Sequence, residues 1–155
     1  YHGDKVITGQ IGSASFIMIY EDTSIKIYNN SVVRLLSERY SMLNHSELAL
    51  FVGKVIIEAD DNMGYNFVVN TPSTKATVSG TNFLAEYQED LLFNGIDYAI
   101  FTVLEGLIEL ENLNSNLSMF LHNGETIVST ENGKFLRLDT FRSSDEIVNS
   151  LLEFR

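Results

Sequence analysis

Short runs of alternating apolar and polar residues recur along almost the whole chain. Clear examples cover residues 24–28, 75–78 and 98–104. This alternation is typical of strands that bury one face and expose the other. Polar or glycine-containing breaks separate the runs roughly every ten residues, a spacing typical of all-β domains. The pattern therefore predicts many short strands in a twisted β-sandwich or a solenoid-like β roll.

Two turn dipeptides stand out in the last third of the chain. They are Asn123-Gly124 and Asn132-Gly133, each between two alternating runs. Asn-Gly favours the tight turns that join antiparallel neighbours. We therefore predict a β-hairpin at each of them.

The C-terminus alone has a helical pattern. Ser143 and Glu146 fit a capping box. An apolar stripe follows at helical spacing, formed by Ile147, Val148, Leu151 and Leu152. We therefore divide the chain into an all-β domain over residues 1–142 and a short amphipathic helix over residues 143–155, which packs on the domain or leaves it.

Two glycines interrupt long alternating runs in the same way. Gly53 and Gly106 lie 53 residues apart, and each separates one alternating run from a second. A glycine inside a strand pattern usually marks a bulge or a sharp bend. The pair suggests equivalent kinks in two stacked β units, although any β-sandwich can use this device twice.

The composition excludes several classes of function. The chain has 155 residues, with 10 Lys or Arg and 21 Asp or Glu, for a formal net charge of −11. Nucleic-acid binding is disfavoured because phosphates need clustered basic residues. The absence of cysteine excludes disulfides and thiol nucleophiles. No run reaches the roughly 18 apolar residues of a membrane span. Because the chain begins at Tyr1, we expect that a signal peptide, an anchor or a tag has been removed.

Residue types that carry chemistry are scattered along the chain. His2, His45 and His122 lack the spacing of metal ligands, and we expect them in surface turns. Residues 60–64 resemble the start of a calcium loop but lack its later acidic ligand, which favours a hairpin turn. No serine-nucleophile or phosphate-loop motif is present. We therefore predict no catalytic residue, no cofactor and no metal.

Residues 70–83 carry the most informative motif of the chain. A Thr-Pro dipeptide begins it, small residues and an alternating run follow, and a Gly-Thr dipeptide closes it. This order resembles the central motif of the FecR domain family, and weaker likenesses extend the resemblance over residues 9–129. The motif positions are given structural roles: Thr71, Pro72, Gly80, Thr81, Gly53 and Gly106.

The resemblance implies a function that the composition does not. FecR-type domains are non-enzymatic, extracytoplasmic β domains of bacterial cell-envelope proteins. They act in signalling, as in anti-sigma-factor-type relays, or in other envelope interactions through protein–protein contacts. For this chain the resemblance implies a protein partner and a periplasmic or cell-surface location. It would be an excised ectodomain or a mature secreted form, attached to a membrane only through a segment outside this chain.

A carbohydrate-binding or glycan-acting β domain is the alternative. It would use acidic pairs and tyrosines in one groove: Glu21/Asp22, Glu89/Asp90, Glu109/Glu111, Tyr28, Tyr40 and Tyr87. A convergent carboxylate pair with one raised pKa would favour the glycan function. An exposed edge strand with an apolar rim would instead favour protein docking by strand addition.

Overall fold

The computed structural model describes residues 5–9, 12, 14–18, 23–37, 45–58, 66–78, 81–88 and 96–137, and all regular elements in these residues are β-strands, as the alternation predicts. The strands are β1 Lys5–Ile7, β2 Ala14–Met18, β3 Thr23–Ile27, β4 Val32–Ser37, β5 His45–Glu58, β6 Asn66–Asn70, β7 Thr74–Val78, β8 Asn82–Gln88, β9 Tyr98–Glu105, β10 Leu107–Asn112, β11 Ser118–His122, β12 Thr126–Thr130 and β13 Phe135–Arg137. The helix predicted over 143–155 lies outside the described residues, so the division of the chain at residue 142 stays a prediction.

The strands form two sheets that share β5. The first sheet has the order β1-β4-β5-β6-β7-β10-β11, and the second has the order β2-β3-β5-β8-β9-β12-β13. Residues 45–52 of β5 pair in the first sheet and residues 53–58 pair in the second. β5 and β6 are parallel, whereas the other described pairs are antiparallel. Because β5 belongs to both sheets, they form one continuous curled sheet, in which β11 packs near β9.

One core lies between the two sheets. In β7 and β10 buried residues alternate with more exposed ones, so that these strands cover the core on one side and meet solvent on the other. Phe83 and Phe101 are the largest fully buried side chains. Burial of each such side chain contributes about 1.5–3 kcal/mol to the free energy of unfolding.

In the second sheet, the strands β8, β9 and β12 are buried on both faces. On the face of this sheet that points away from the core, the side chains of Leu84, Glu86, Ile100 and Val128 are at most 4% exposed. The simple alternation of a half-buried strand does not hold here. The consecutive apolar residues 83–85 are the sequence signal of such two-sided burial.

The two Asn-Gly dipeptides differ in what they connect. Asn132-Gly133 joins β12 to β13, which pair as the predicted hairpin. Asn123-Gly124 joins β11 to β12, but β11 pairs with β10 and β12 pairs with β9. The prediction of a hairpin at Asn123-Gly124 is therefore wrong. This turn carries the chain from the first sheet to the second.

Candidate functional site: a free strand edge

Gly53 lies at a corner, the point where a strand leaves one sheet and enters the other. Its φ is +106°, a backbone conformation that favours glycine. Ser31, in the connection between β3 and β4, fixes this corner. The Lys54 N–H donates to the Ser31 Oγ at 3.1 Å, and the Ser31 hydroxyl shares its hydrogen between the Lys54 carbonyl at 3.4 Å and the Asn29 carbonyl at 3.3 Å. We call this double contact a hydroxyl latch.

Gly106 lies at a second corner of the same design. Its φ is +111°, and it joins β9 of the second sheet to β10 of the first. The Leu107 N–H donates to the Thr81 Oγ1 at 3.3 Å, and the hydroxyl donates to the Leu107 carbonyl at 2.8 Å. In both corners a register shift follows the hydroxyl residue, between Val32 and Val33 and between Asn82 and Phe83. The two corners are thus copies of one local structure.

Thr71 and Pro72 lie in the turn between β6 and β7. The Thr71 Oγ1 accepts a hydrogen bond from the Thr74 N–H at 3.0 Å, which closes the turn. The Thr74 hydroxyl donates to the Ser129 Oγ at 2.6 Å, and the Asn112 Nδ2 donates to the same oxygen at 2.9 Å. All of these residues except Pro72 are buried. The turn therefore belongs to a polar network that connects the two sheets at one end of the core.

The described motif residues all lie at corners or in this turn. Thr71, Thr81, Gly53 and Gly106 hold the backbone of the domain, and Gly80 lies outside the described residues. Their hydrogen bonds run to main-chain groups or to other buried hydroxyls and not to a cleft. The structural roles proposed for them remain predictions.

Glu86 is an acid buried within the second sheet, and its pKa is raised. Its side chain is fully buried on β8, opposite Lys54 of β5. The Gln88 Nε2 donates to its Oε1 at 2.7 Å, whereas Oε2 has no hydrogen-bond partner in the described part of the chain. Burial raises the pKa of Glu86, while the hydrogen bond from Gln88 and the charge of Lys54 oppose this shift. Burial, together with the nearby Glu86, also raises the pKa of Tyr98 to about 12.

The surroundings of Glu86 differ from a glycosidase pair. Its charged neighbour is the Lys54 ammonium, whose pKa burial lowers, and not a second carboxylate. Lys54 and Lys26 lie over the Tyr28 ring, at 4.3 Å and 4.9 Å from its centroid. Tyr87 is buried in the core. These tyrosines therefore do not form an exposed recognition patch.

The other candidates for chemistry stay apart or lie outside the described residues. Glu109 and Glu111 point outward from β10, as expected for two acids on one strand face. His122 is exposed at the end of β11. The remaining predicted candidates have no described side chain: His2, His45, Tyr40, residues 60–64, Glu21/Asp22 and Glu89/Asp90. Within the described ranges, no three His, Asp or Glu side chains are placed to hold a metal ion.

Among the strands that the structure describes, β11 has an open edge. It is the last strand of the first sheet, and β10 is its one partner among the described strands. In an antiparallel pair, residues alternately direct their N–H and C=O groups toward the partner and away from it. The Asn112 N–H donates to the Leu117 carbonyl at 2.9 Å, which fixes the phase of this alternation. The N–H and C=O groups of Ser118, Phe120 and His122 therefore point toward the open side.

Glu125 closes one end of this edge. Its carboxylate accepts the His122 N–H at 2.7 Å, and its own N–H donates to the His122 carbonyl at 3.0 Å. Arg137 binds the second carboxylate oxygen at 2.7 Å. The hydrogen bond from His122 and the charge of Arg137 hold the pKa of Glu125 below its ordinary value. The free length of the edge is therefore the segment from Ser118 to Phe120.

Apolar and acidic side chains surround this free segment. Phe120 and Leu117 are 54% and 55% exposed, and Leu107 of β10 is 42% exposed. Glu109 lies opposite Phe120, and Glu111 lies opposite Ser118. We call the set Leu107, Glu109, Glu111, Leu117, Ser118 and Phe120 the β11 rim. It has features expected of a docking edge: exposed apolar side chains, open main-chain groups and two acids on the outer face, of which Glu111 also lies opposite Lys75 of β7.

A comparison with protein families finds one matching family over most of the described strands. The family model described as FecR protein matches residues 4–109, which is more than half of the chain. The chain belongs to the FecR family. The match ends within β10, so that β11 of the FecR domain follows the matched segment.

Solved structures agree with the fold. Two crystal structures of a proposed anti-sigma factor from Parabacteroides distasonis ATCC 8503, at 1.65 Å and 2.50 Å resolution, are each similar with a TM-score of 0.69 and 20% sequence identity. Each match covers 86% of this chain and 58% of that chain. The FecR domain thus spans less than two thirds of that protein, and the likeness shows the fold alone. No curated protein matches the sequence. None of the described segments contains a helix of the length and apolar character that a membrane crossing requires.

Proposed function

We propose that this chain is the extracytoplasmic, non-enzymatic FecR domain of a bacterial cell-envelope protein, and that it relays a signal through contact with another protein. Family membership supports the signalling role. The specific form of the proposal is an anti-sigma-factor-type relay, in which binding outside the cytoplasm changes transcription inside.

The β11 rim is the observation that carries the proposal. Leu117 and Phe120 expose more than half of their surface on a domain with a well-filled core. Large exposed apolar side chains at an unpaired edge invite association, and proteins that have no use for such an edge cover or charge it. A docking surface explains why this edge combines apolar side chains with open main-chain groups.

The surroundings of Glu86 support a non-enzymatic role over the glycan alternative. A glycosidase needs two carboxyl groups about 5–10 Å apart beside a cleft. Glu86 is fully buried, and the group that faces it is Lys54. Tyr28 is half-buried and Tyr87 is buried, so the aromatic half of a glycan site does not form from them.

The test uses the full-length gene product in its own bacterium. Deletion of the gene defines the transcripts that depend on it, and complementation then compares the wild type with Phe120→Glu and Phe51→Glu. Phe51 is a matched control, because it is also an exposed phenylalanine but lies in β5, an interior strand. We expect Phe120→Glu to lose regulation of these transcripts and Phe51→Glu to keep it. Unchanged transcripts on deletion would refute the signalling role.

The location is tested separately. Proteolysis of intact cells and of cells with a permeabilised outer membrane, with a cytoplasmic protein as control, reports which compartment holds the domain. Cleavage before lysis of the inner membrane is the expected result. Protection until that membrane is lysed would contradict an extracytoplasmic location.

A further inference from the structure

We infer that β11 binds an extended segment of the partner protein in the antiparallel direction, and that this segment has the pattern apolar-apolar-basic-apolar. This inference rests on the proposed function, because it names the partner class of the same rim. Three features carry it: the open main-chain groups, Glu111 behind Ser118 and the apolar side chains of β11.

The main-chain groups determine the mode of binding. Ser118 and Phe120 each direct one N–H and one C=O away from β10, and no hydrogen bond to these groups is found in the described part of the chain. The two residues lie about 7 Å apart along the strand. An antiparallel strand presents the N–H and C=O of every second residue at the same spacing, so two of its residues make four hydrogen bonds. The main-chain N–H and C=O of His122 already form hydrogen bonds with Glu125, so an added strand cannot pair beyond Phe120.

The outer face of the rim determines which residues pair there. Phe120 is 54% exposed, and an apolar residue opposite it on an added strand would cover part of that apolar surface. Ser118 is small, and Glu111 lies directly behind it on β10. An added strand would lie about 10 Å from β10. A lysine or arginine opposite Ser118 can extend over that serine toward Glu111, whereas an acidic residue there would be repelled.

The other face of β11 determines the remaining two positions. Met119 is partly buried against the core, and Leu117 is 55% exposed at the start of the strand. Partner residues opposite them lie next to apolar surface and gain from being apolar. An antiparallel partner meets Phe120 first, then Met119, Ser118 and Leu117. This order gives the pattern apolar-apolar-basic-apolar from the amino to the carboxyl end.

The first experiment measures binding of a peptide to the FecR domain. The probe is the octapeptide Gly-Ser-Ile-Val-Lys-Val-Ser-Gly with blocked ends, titrated into isotope-labelled protein and followed by NMR. We expect slower hydrogen exchange at the Ser118 and Phe120 amides and weaker binding at high salt. N-methylation of the isoleucine removes one N–H and keeps the side chain, and should weaken binding about two- to tenfold. Replacement of the lysine by glutamate should weaken it by a similar factor or more.

The second experiment separates this inference from the proposed function. Phe120→Glu should abolish peptide binding, and Phe51→Glu should leave it unchanged. Equal binding of the N-methylated peptide, or of the glutamate peptide, would overturn the inference. If no peptide binds but Phe120→Glu still abolishes regulation in cells, strand addition is wrong while the signalling role stands. A dimer that Phe120→Glu dissolves and the peptide does not would show a second copy on β11, which also overturns the inference.

Discussion

Replacement of Gly53, which is buried in β5, by alanine is expected to destabilise the domain more than the same change at Gly124, which lies in an exposed turn. The φ of +106° strains any residue that has a Cβ atom, at a cost of about 1–3 kcal/mol. A Cβ atom at Gly53 would also lie 2.5 Å from the Ser31 Cα, and a backbone atom cannot move away easily. This steric overlap adds about 1–3 kcal/mol. The total is about 2–6 kcal/mol.

Gly124 offers a matched control for this prediction. Its φ is +76°, and a Cβ atom there meets no other atom within 4 Å. Gly124→Ala therefore carries backbone strain of about 1–2 kcal/mol without the overlap. Both variants gain the same small benefit from a stiffer unfolded chain, and this benefit cancels in the comparison. The difference between them isolates the contact of Gly53 with Ser31.

Thermal denaturation followed by circular dichroism and by tyrosine fluorescence measures Tm for both variants; the chain has seven Tyr and no Trp. For a domain of this size each kcal/mol lowers Tm by about 2–4 °C. We expect a fall of about 4–24 °C for Gly53→Ala and of about 2–8 °C for Gly124→Ala. Equal destabilisation of the two variants would show that close packing at the Gly53 corner does not matter.

Four further predictions follow from buried contacts and from the C-terminal pattern. Glu86→Gln should stabilise the domain at pH 7, because it removes the charge of a buried carboxylate. Because the folded-state pKa of Glu86 is raised above 4.5, the wild type should lose stability as the pH rises above that value, and Glu86→Gln should flatten this loss in urea titrations at several pH values. Thr81→Val should lower the free energy of unfolding by about 1–2 kcal/mol, because it removes a hydroxyl latch. Thr81→Ser keeps the hydroxyl and should retain most of this stability, and equal losses in the two variants would refute the latch. Asn112→Ala should cost about 2–4 kcal/mol, measured by chemical denaturation, because it leaves buried partners unpaired. Truncation after residue 142 should leave the β-sheet circular dichroism unchanged; its loss would show that residues 143–155 are integral to the β domain.

Local patterns predicted the strands and the bends well. Residues two positions apart in a strand lie on the same face, so apolar and polar residues alternate wherever one face meets solvent. β7 and β10 show this alternation. The positive φ of Gly53 and Gly106 follows from a glycine between two alternating runs. In each case the physical cause lies within a few residues of the signal, which is why the sequence alone is sufficient.

Features that depend on distant pairing were not predictable in this way. Asn123-Gly124 forms a tight turn, but a dipeptide does not determine which sheet the next strand joins. Glu86 is buried although it alternates like a solvent-facing acid, because both faces of β8 are covered. The partner of Gly53 is Ser31, more than twenty residues earlier in the chain. The open edge of β11 likewise depends on the order of all the strands in its sheet.

The passage of β5 through both sheets affects how the domain opens. β5 has partners on both sides in each sheet, so neither sheet can separate from the other while this strand stays paired. Partial opening of one sheet alone is thus confined to strands far from β5, such as β11 and β13. The slowest-exchanging amides should report global unfolding of the whole domain and cluster in β5. A ligand that orders β11 acts at the most easily frayed end of a single cooperative unit.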